Sequence, residues 1–557
     1  MENSIKGITL NQQLADLLSI IDDIESKEKQ DALIKDYISK LKYRVEGYSK
    51  GGEGFALRYV IDSVCQMLDI SPDISKIVMQ VYSEKNNENR EVCDSKAVIA
   101  ALQAKLGMSE VDCKRLHTSI LKGLKETDFS ANPGILYMTP DDVRNLYDHI
   151  MQEGYNRITM DTCGRYSDFV SIDGETFCPG NIDRMMKFAT KHQISTKINT
   201  FMMYSDFPNL LDEYLVGQKM DESERGKIFK NSLMRYVIEI GARYGDRISA
   251  VDMFNELIYN PGTSEKKALF TEYELDENGN KIQERTDDGE LKYDSNGEPV
   301  YKEAGYVERS QTGWQKYLTL QDLCEIAVVA RAVLPNATFT YNDWNWVIPE
   351  KRDAMIAIVN RIQDIQKDIQ KQGGIIVNEE IATILKELQD KKIGRINLGE
   401  DGKLEFESDQ TIVDSIGLES HLSTVTEPEE LVETVSIIKK ETGLPVEVTE
   451  EDVAYHKDVE GNEELSKEMQ QRQNRLFATI DKLVKKGILI GATIWSLGKA
   501  SFTDKMYGYI THASKLNEKF KSKTREHDSV EFDTDVLETT GQRATTYGIN
   551  QETLTLI

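Results

Sequence analysis

The chain has 557 residues, 39% hydrophobic and 29% charged, with 95 acidic against 68 basic side chains and a formal net charge of −27. That length holds a barrel of about 250 to 400 residues plus one further domain, and the composition excludes a disordered chain. So acidic a protein repels phosphate backbones and anionic membrane surfaces. The nearest thing to a basic patch, residues 519–525 (KFKSKTR), reads as the solvated end of a terminal helix, so neither nucleic acid nor membrane is an expected partner. Six scattered cysteines without CxxC spacing point away from a disulfide framework and from structural zinc. The sequence shows no basic-then-apolar leader and no run of about 18 apolar residues, which makes the cytoplasm the expected compartment, a secreted mature form being the alternative.

Residues 1–130 read as helix after helix, with apolar side chains at helical spacing in LNQQLADLLSIIDDI, ALIKDYISKLKYRV, ALRYVIDSVCQMLDI and KAVIAALQAKLG. Turn-forming breaks at Gly51-Gly52, Ser71-Pro72 and residues 86–89 divide them. The expectation is an all-helical N-terminal domain, either a structural cap on the remainder of the chain or a docking module. From Pro133 onward, short β-rich runs alternate with long amphipathic segments. The runs are residues 135–138, 157–160, 195–201, 248–254, 337–341, 414–418, 445–449 and 489–495. Eight such units predict an α/β fold, a (β/α)8 TIM barrel over residues 131–525, rather than an open doubly wound sheet. Residues 261–310, with ENGNK and SNGEP turns, predict β-hairpins inserted after the fourth strand, and residues 362–408 a charged helical excursion broken at Gly373-Gly374. Residues 526–557 form a C-terminal extension.

Glycoside hydrolysis uses two carboxylates flanking the scissile bond, and a barrel presents its chemistry at strand C-termini. The fourth strand, ISAVDMFNE, ends in Asn255-Glu256, and the seventh, PVEVTEED, ends in Thr449-Glu450-Glu451-Asp452. Either acid alone reads as a helix cap or a solvated turn; together, on strands that closure brings face to face, they read as a catalytic pair. There is no HExxH, GxSxG, GxxxxGK[ST] or GxGxxG, and seven scattered histidines prompt no metal centre, so neither cofactor nor metal is expected.

With those residues in view, the chain resembles the family 10 glycoside hydrolases, the β-1,4-xylanases, over roughly residues 133–525. VDMFNE is similar to the family's WDVVNE, VTEED to ITELD, TYNDWN (340–345) to YNDYN, SIGLESHLS (415–423) to GIGLQxHL, and ATIWSL (492–497) to TxWG. The resemblance implies Glu256 as acid/base and Glu450 as nucleophile, with His421 and Asp452 orienting the nucleophile. It places Asn255 on the sugar 2-hydroxyl, and Tyr341, Asn342, Asp343, Glu419, Trp495 and Phe502 along the substrate. Tyr341, Asn342 and Asp343 read equally as a tight turn, and His421 and Trp495 as core. The departures fall in the sugar pocket: NTFMMYSDFP (199–208) stands where the family has HTLVWHSQxP, leaving Asn199 and Tyr204 to meet the sugar. MDTCGR (160–165) replaces ENxMK, Glu419 replaces a glutamine, and Phe502 stands near a second tryptophan's place. The expected activity is a retaining, xylanase-like endo-β-1,4-glycanase acting on β-linked polysaccharide or oligosaccharide. The alternatives are another β-linked glycan and a non-catalytic carbohydrate-binding barrel.

Overall fold

The computed structural model describes residues 4–10, 12–50, 60–61, 64–65, 71–84, 95–125, 140–152, 155–161, 164–177, 180–203, 209–258, 269–273, 283–286, 291–293, 299–300, 303–309, 317–423, 427–454 and 463–495. The strands, in chain order, are β1 (Ile5–Leu10), β2 (Arg157–Asp161), β3 (Ser195–Asn199), β4 (Ile248–Asn255), β5 (Leu269–Tyr273), β6 (Glu303–Arg309), β7 (Thr338–Trp344), β8 (Ile375–Ile376), β9 (Lys403–Leu404), β10 (Ser415–Ser423), β11 (Val446–Ala454) and β12 (Leu489–Ile494). A closed parallel barrel runs β1-β2-β3-β4-β7-β10-β11-β12 and back to β1. Every barrel strand except the first falls on a run expected from the sequence.

The first strand is a correction. It comes not from residues 135–138, which lie outside the described residues, but from IKGITL at the start of the chain. There β1 pairs with β12 (Ile5 with Gly491, Ile8 with Ile494) and with β2 (Gly7 with Arg157, Leu10 with Met160). At Gly7 a Cβ would stand 2.2 Å from Thr493 Oγ1, so the seam between first and last strands closes because Gly7 has no side chain. The helical region therefore comes after one barrel strand. The helix Gln12–Ile21 packs in the barrel's own core through Leu17, Leu18 and Ile21.

Helices Pro72–Glu84, Ser95–Leu106 and Glu110–Lys125 build a second core around Val78, Val81, Leu102, Cys113, Leu116 and Ile120. Ile172, from the loop after β2, is inserted into it. Lys114 pairs with Asp173 at 2.8 Å, Arg115 Nε donates to Phe177 O at 2.8 Å, and Ile172 N donates to Thr118 Oγ1 at 3.2 Å. Cys65, Cys113 and Cys324 are buried and in no disulfide among the described residues.

Helices cover the barrel with the stripes their periodicity requires. Glu222–Tyr244 turns Phe229, Leu233, Tyr236, Val237, Ile240 and Tyr244 inward, and starts at a capping box of Asp221 and Glu224. The insertion after β4 contains the expected antiparallel pairing, β5 with β6 and bridges 285 to 291 and 293 to 299. The excursion after β7 is helical, Pro349–Gln372 and Glu379–Asp390, with Gly373 as a left-handed C-cap. Among the described residues no helix is long and apolar enough to cross a membrane.

Inside the barrel the layers are charged. Lys197 on β3 lies 2.7 Å from Asp252 Oδ1 on β4 and 3.1 Å from Glu447 Oε1 on β11, and Arg157 on β2 binds Glu447 Oε2 at 2.5 Å. All four side chains are buried. Burial opposes ionisation of Glu447, but Arg157 and Lys197 outweigh it and hold the carboxyl at about 2. Burial pushes Asp252 up, against the pull of Lys197.

One buried group makes the helical region acid-sensitive. His117 sits between Tyr82 Oη (2.5 Å from Nδ1) and Ser95 Oγ (2.8 Å from Nε2), and burial depresses its pKa to about 4. The folded state holds a neutral imidazole that the unfolded chain protonates near pH 6.5, so stability complete above that pH drains as pH falls towards 4, by about 3 kcal/mol. Urea melts between pH 7 and 4 are expected to steepen their loss below pH 6.5 in the wild type and to flatten in His117→Gln; equal slopes refute the assignment.

Candidate active site

The strand before Glu256 and the strand that carries Glu450 each have a bulge ahead of the acid. On β4, Asp252 pairs with Thr340 and Phe254 with Tyr341, so Met253 is the extra residue; on β11, Val448 pairs with Leu418 and Glu450 with Glu419, so Thr449 is. A regular strand sends consecutive side chains to opposite faces, and a bulge breaks that alternation. Thr449 Oγ1 bonds Asn342 Oδ1 at 2.5 Å while its neighbour Glu450 receives Asn199 Nδ2 at 3.1 Å from across the barrel. Two successive residues therefore face the interior.

Glu450 is held at both oxygens, by Asn199 at Oε1 and by His421, whose Nε2 lies 3.0 Å from Oε2. The Trp495 ring meets His421 edge-on, with centroids 5.8 Å apart at 77°. Glu256, just beyond β4, is buried and adopts φ 50, a left-handed conformation that costs a non-glycine residue about 1–3 kcal/mol. Its backbone N donates to Asn342 O at 2.9 Å, and Asn255 Nδ2 approaches its Oε1 at 3.4 Å.

Asn342 links the acids, donating to Asn255 Oδ1 (2.8 Å) and Glu419 Oε1 (2.7 Å). It has room because Gly417 faces it: a Cβ there would stand 2.3 Å from Asn342 Oδ1. Three residues expected along the substrate, Tyr341, Asn342 and Asp343, are wholly enclosed. Asp343 pairs with Lys351 at 2.7 Å and accepts the Tyr341 hydroxyl at 2.9 Å, and Lys351 also donates to Ile258 O at 2.8 Å, tying the loops after β4 and β7 together. Asn199, expected to meet the sugar, spends its amide on Glu450 and Asp252 (3.2 Å). Tyr204 and Phe502 lie outside the described residues; of Asp452 the structure describes the backbone, paired with His421.

Glu419 is also buried, and its pKa is pushed well up by burial first and then by Glu450, Glu256, Asp343 and Asp252. Polar atoms of Glu419, His421 and Glu450 lie within 4.8 Å of one another, a closeness that the His421–Glu450 contact accounts for without an ion.

Sequence reasoning missed Lys351, Lys197, Arg165 and Trp346. Arg165 donates to Asn199 Oδ1 at 3.1 Å and Trp346 Nε1 to Glu419 O at 3.1 Å. MDTCGR holds Arg165 at its last position, the one local signal for that contact.

The family model described as glycosyl hydrolase family 10 matches residues 128–278 and 280–525. No curated protein matches the chain. Among solved structures, a family 10 endoxylanase from a sugarcane soil metagenome is 15% identical, with 66% of this chain and 88% of that one covered at a TM-score of 0.42. Xylanase 10B from Thermotoga maritima is 15% identical, with 65% and 83% covered at 0.40. Xylanase XynB from Paenibacillus barcinonensis is 15% identical, with 65% and 88% covered at 0.42.

Lys351→Met removes the cation that pairs with the buried Asp343, and is expected to lower unfolding free energy by about 3–5 kcal/mol in denaturant melts. A loss below about 1 kcal/mol, the value of an exposed pair, refutes a buried ionic tie.

Proposed function

The chain belongs to glycosyl hydrolase family 10, and from that premise we propose that this glycoside hydrolase cleaves internal β-1,4 bonds of a xylan-like chain with retention of configuration. Glu256 protonates the leaving glycosidic oxygen while the Glu450 carboxylate attacks the anomeric carbon. Glu256, now a carboxylate, takes a proton from water as that water displaces Glu450 from the glycosyl ester. The observation that carries this reading is the fixing of Glu450 between Asn199 and His421 on the seventh barrel strand, with Glu256 in a strained left-handed conformation after the fourth. Asn255 completes the acid/base side, and Trp495 offers an aromatic face beside His421. Retention calls for carboxyl groups about 5 to 5.5 Å apart.

A second reading keeps the reaction and changes the glycan. It is favoured by the commitment of Asn199, which stands where the family has a histidine, to Asp252 and Glu450, leaving less of its amide for the sugar.

Reducing-end release from xylan, xylo-oligosaccharides and other β-glycans separates the two. The wild type is expected to cleave a xylose polymer and yield the β-anomer first by proton NMR. Glu450→Gln is expected to be inactive, and Glu256→Ala to lose about 10²- to 10⁴-fold in kcat. An α-anomer first overturns retention, an active Glu450→Gln overturns the nucleophile, and cleavage confined to another glycan selects the second reading.

A further inference from the structure

Glu419 is a third buried carboxyl beside the pair proposed for catalysis. Its Oε1 accepts the Asn342 amide at 2.7 Å, and its Oε2 lies 3.9 Å from His421 Nε2, too far for a hydrogen bond. Among the described residues, carboxyls on three other strands and beyond act on it. Asp343 faces it from β7, Glu450 from β11, and Asp252 and Glu256 from β4 and its end. Glu451 comes after Glu450 on β11, and Glu447 lies lower on the same strand. The cations nearby serve other groups: Lys351 binds Asp343, Lys197 binds Asp252 and Glu447, Arg157 binds Glu447, Arg165 binds Asn199, and His421 binds Glu450. Among the described residues a carboxylate at Glu419 has no cation within hydrogen-bond distance, whereas a carboxylic acid has a carboxylate to turn towards in Glu450, one oxygen of each lying within 4.8 Å.

We propose that Glu419 is a positioning residue acting as a carboxylic acid: one oxygen receives the Asn342 amide while the other directs its hydrogen to the Glu450 carboxylate. This rests on Glu450 being the nucleophile. Glu419 keeps its proton throughout the cycle. While Glu450 is esterified the hydrogen has a neutral acceptor, and as Glu450 departs as a carboxylate in the second step the contact strengthens, which favours breakdown of the ester. The upward shift of the Glu419 pKa, by burial and then by the four neighbouring carboxyls, agrees with this geometry. On loss of that proton at alkaline pH two carboxylates face each other and Glu450 is pushed from its place. Glutamine, which the resembling family has here, supplies a donor and an acceptor but cannot titrate.

The test is the full chain with Glu419→Gln and Glu419→Leu. The Gln variant is expected to move the alkaline limb of kcat/KM on the cleaved glycan upward by roughly one pH unit or more. The Leu variant, without a donor, is expected to lose about tenfold or more in kcat with a smaller change in KM. An alkaline limb unchanged in Glu419→Gln overturns the proposal. An infrared difference spectrum near neutral pH, without substrate, is expected to show a protonated-carboxyl band that Glu419→Gln lacks, beside the band of the Glu256 acid that both proteins keep; a protonated-carboxyl region unchanged by the substitution overturns the proposal too. Because that spectrum needs no turnover, a failure of the β-glycan reading, seen as no cleavage, is told apart from a failure of this one.

Discussion

A single lysine, Lys197, sits between Asp252 and Glu447 in the barrel interior, and the candidate active site depends on that arrangement. Charges removed from water must be matched within the protein, because Coulomb terms grow and solvation is lost together. At this level Lys197 and Arg157 balance two carboxylates and tie β2, β3, β4 and β11 to one another. Those cations are then spent. In the next layer towards the strand C-termini stand Glu256, Glu419, Glu450 and Asp343, and each needs a separate answer. Asp343 has Lys351; Glu450 has the Asn199 amide and His421; Glu419 has the Asn342 amide and a raised pKa.

Aim is the second constraint. A barrel strand alternates its side chains, so Glu447 facing inward predicts that Thr449 faces inward and Glu450 outward. The bulge at Thr449 overrides the alternation, and the matching bulge at Met253 lies just ahead of Asn255 and Glu256. Both proposed catalytic strands thus use the same local irregularity. Asn342, in the strand next to β4 and β10, spans the gap between the two sides.

The helical region reaches this site through one loop. Ile172 is buried in the second core and Asp173 is paired with Lys114, which fixes residues 164–177 after β2. Arg165 lies in that loop and binds Asn199, which in turn binds Glu450. The N-terminal helices thus touch the loop that carries Arg165.

The barrel was legible because parallel strands buried on both faces read as short β-rich runs between amphipathic helices, and β2 to β4, β7 and β10 to β12 were readable in that way. IKGITL was not, since six residues with Ile5 and Ile8 three apart merge into the helical spacing of the adjoining segment. Glu256 and Glu450 stood out by their places at strand ends, and their family resemblance lies in contiguous motifs that one sequence displays. The partners of those acids are contacts between strands: Asn199 with Glu450, Lys351 with Asp343 and Lys197 with Glu447 are each far apart in the chain or on separate elements, and no local pattern links them. The sequence by itself determined the barrel, the family and the candidate acid pair, because periodicity and short motifs are local. The tertiary structure alone decided that β1 closes the barrel, that a bulge turns Glu450 inward and that, among the described residues, Glu419 lies near other carboxyls with no cation in hydrogen-bond contact, because register and charge balance exist only once strands meet.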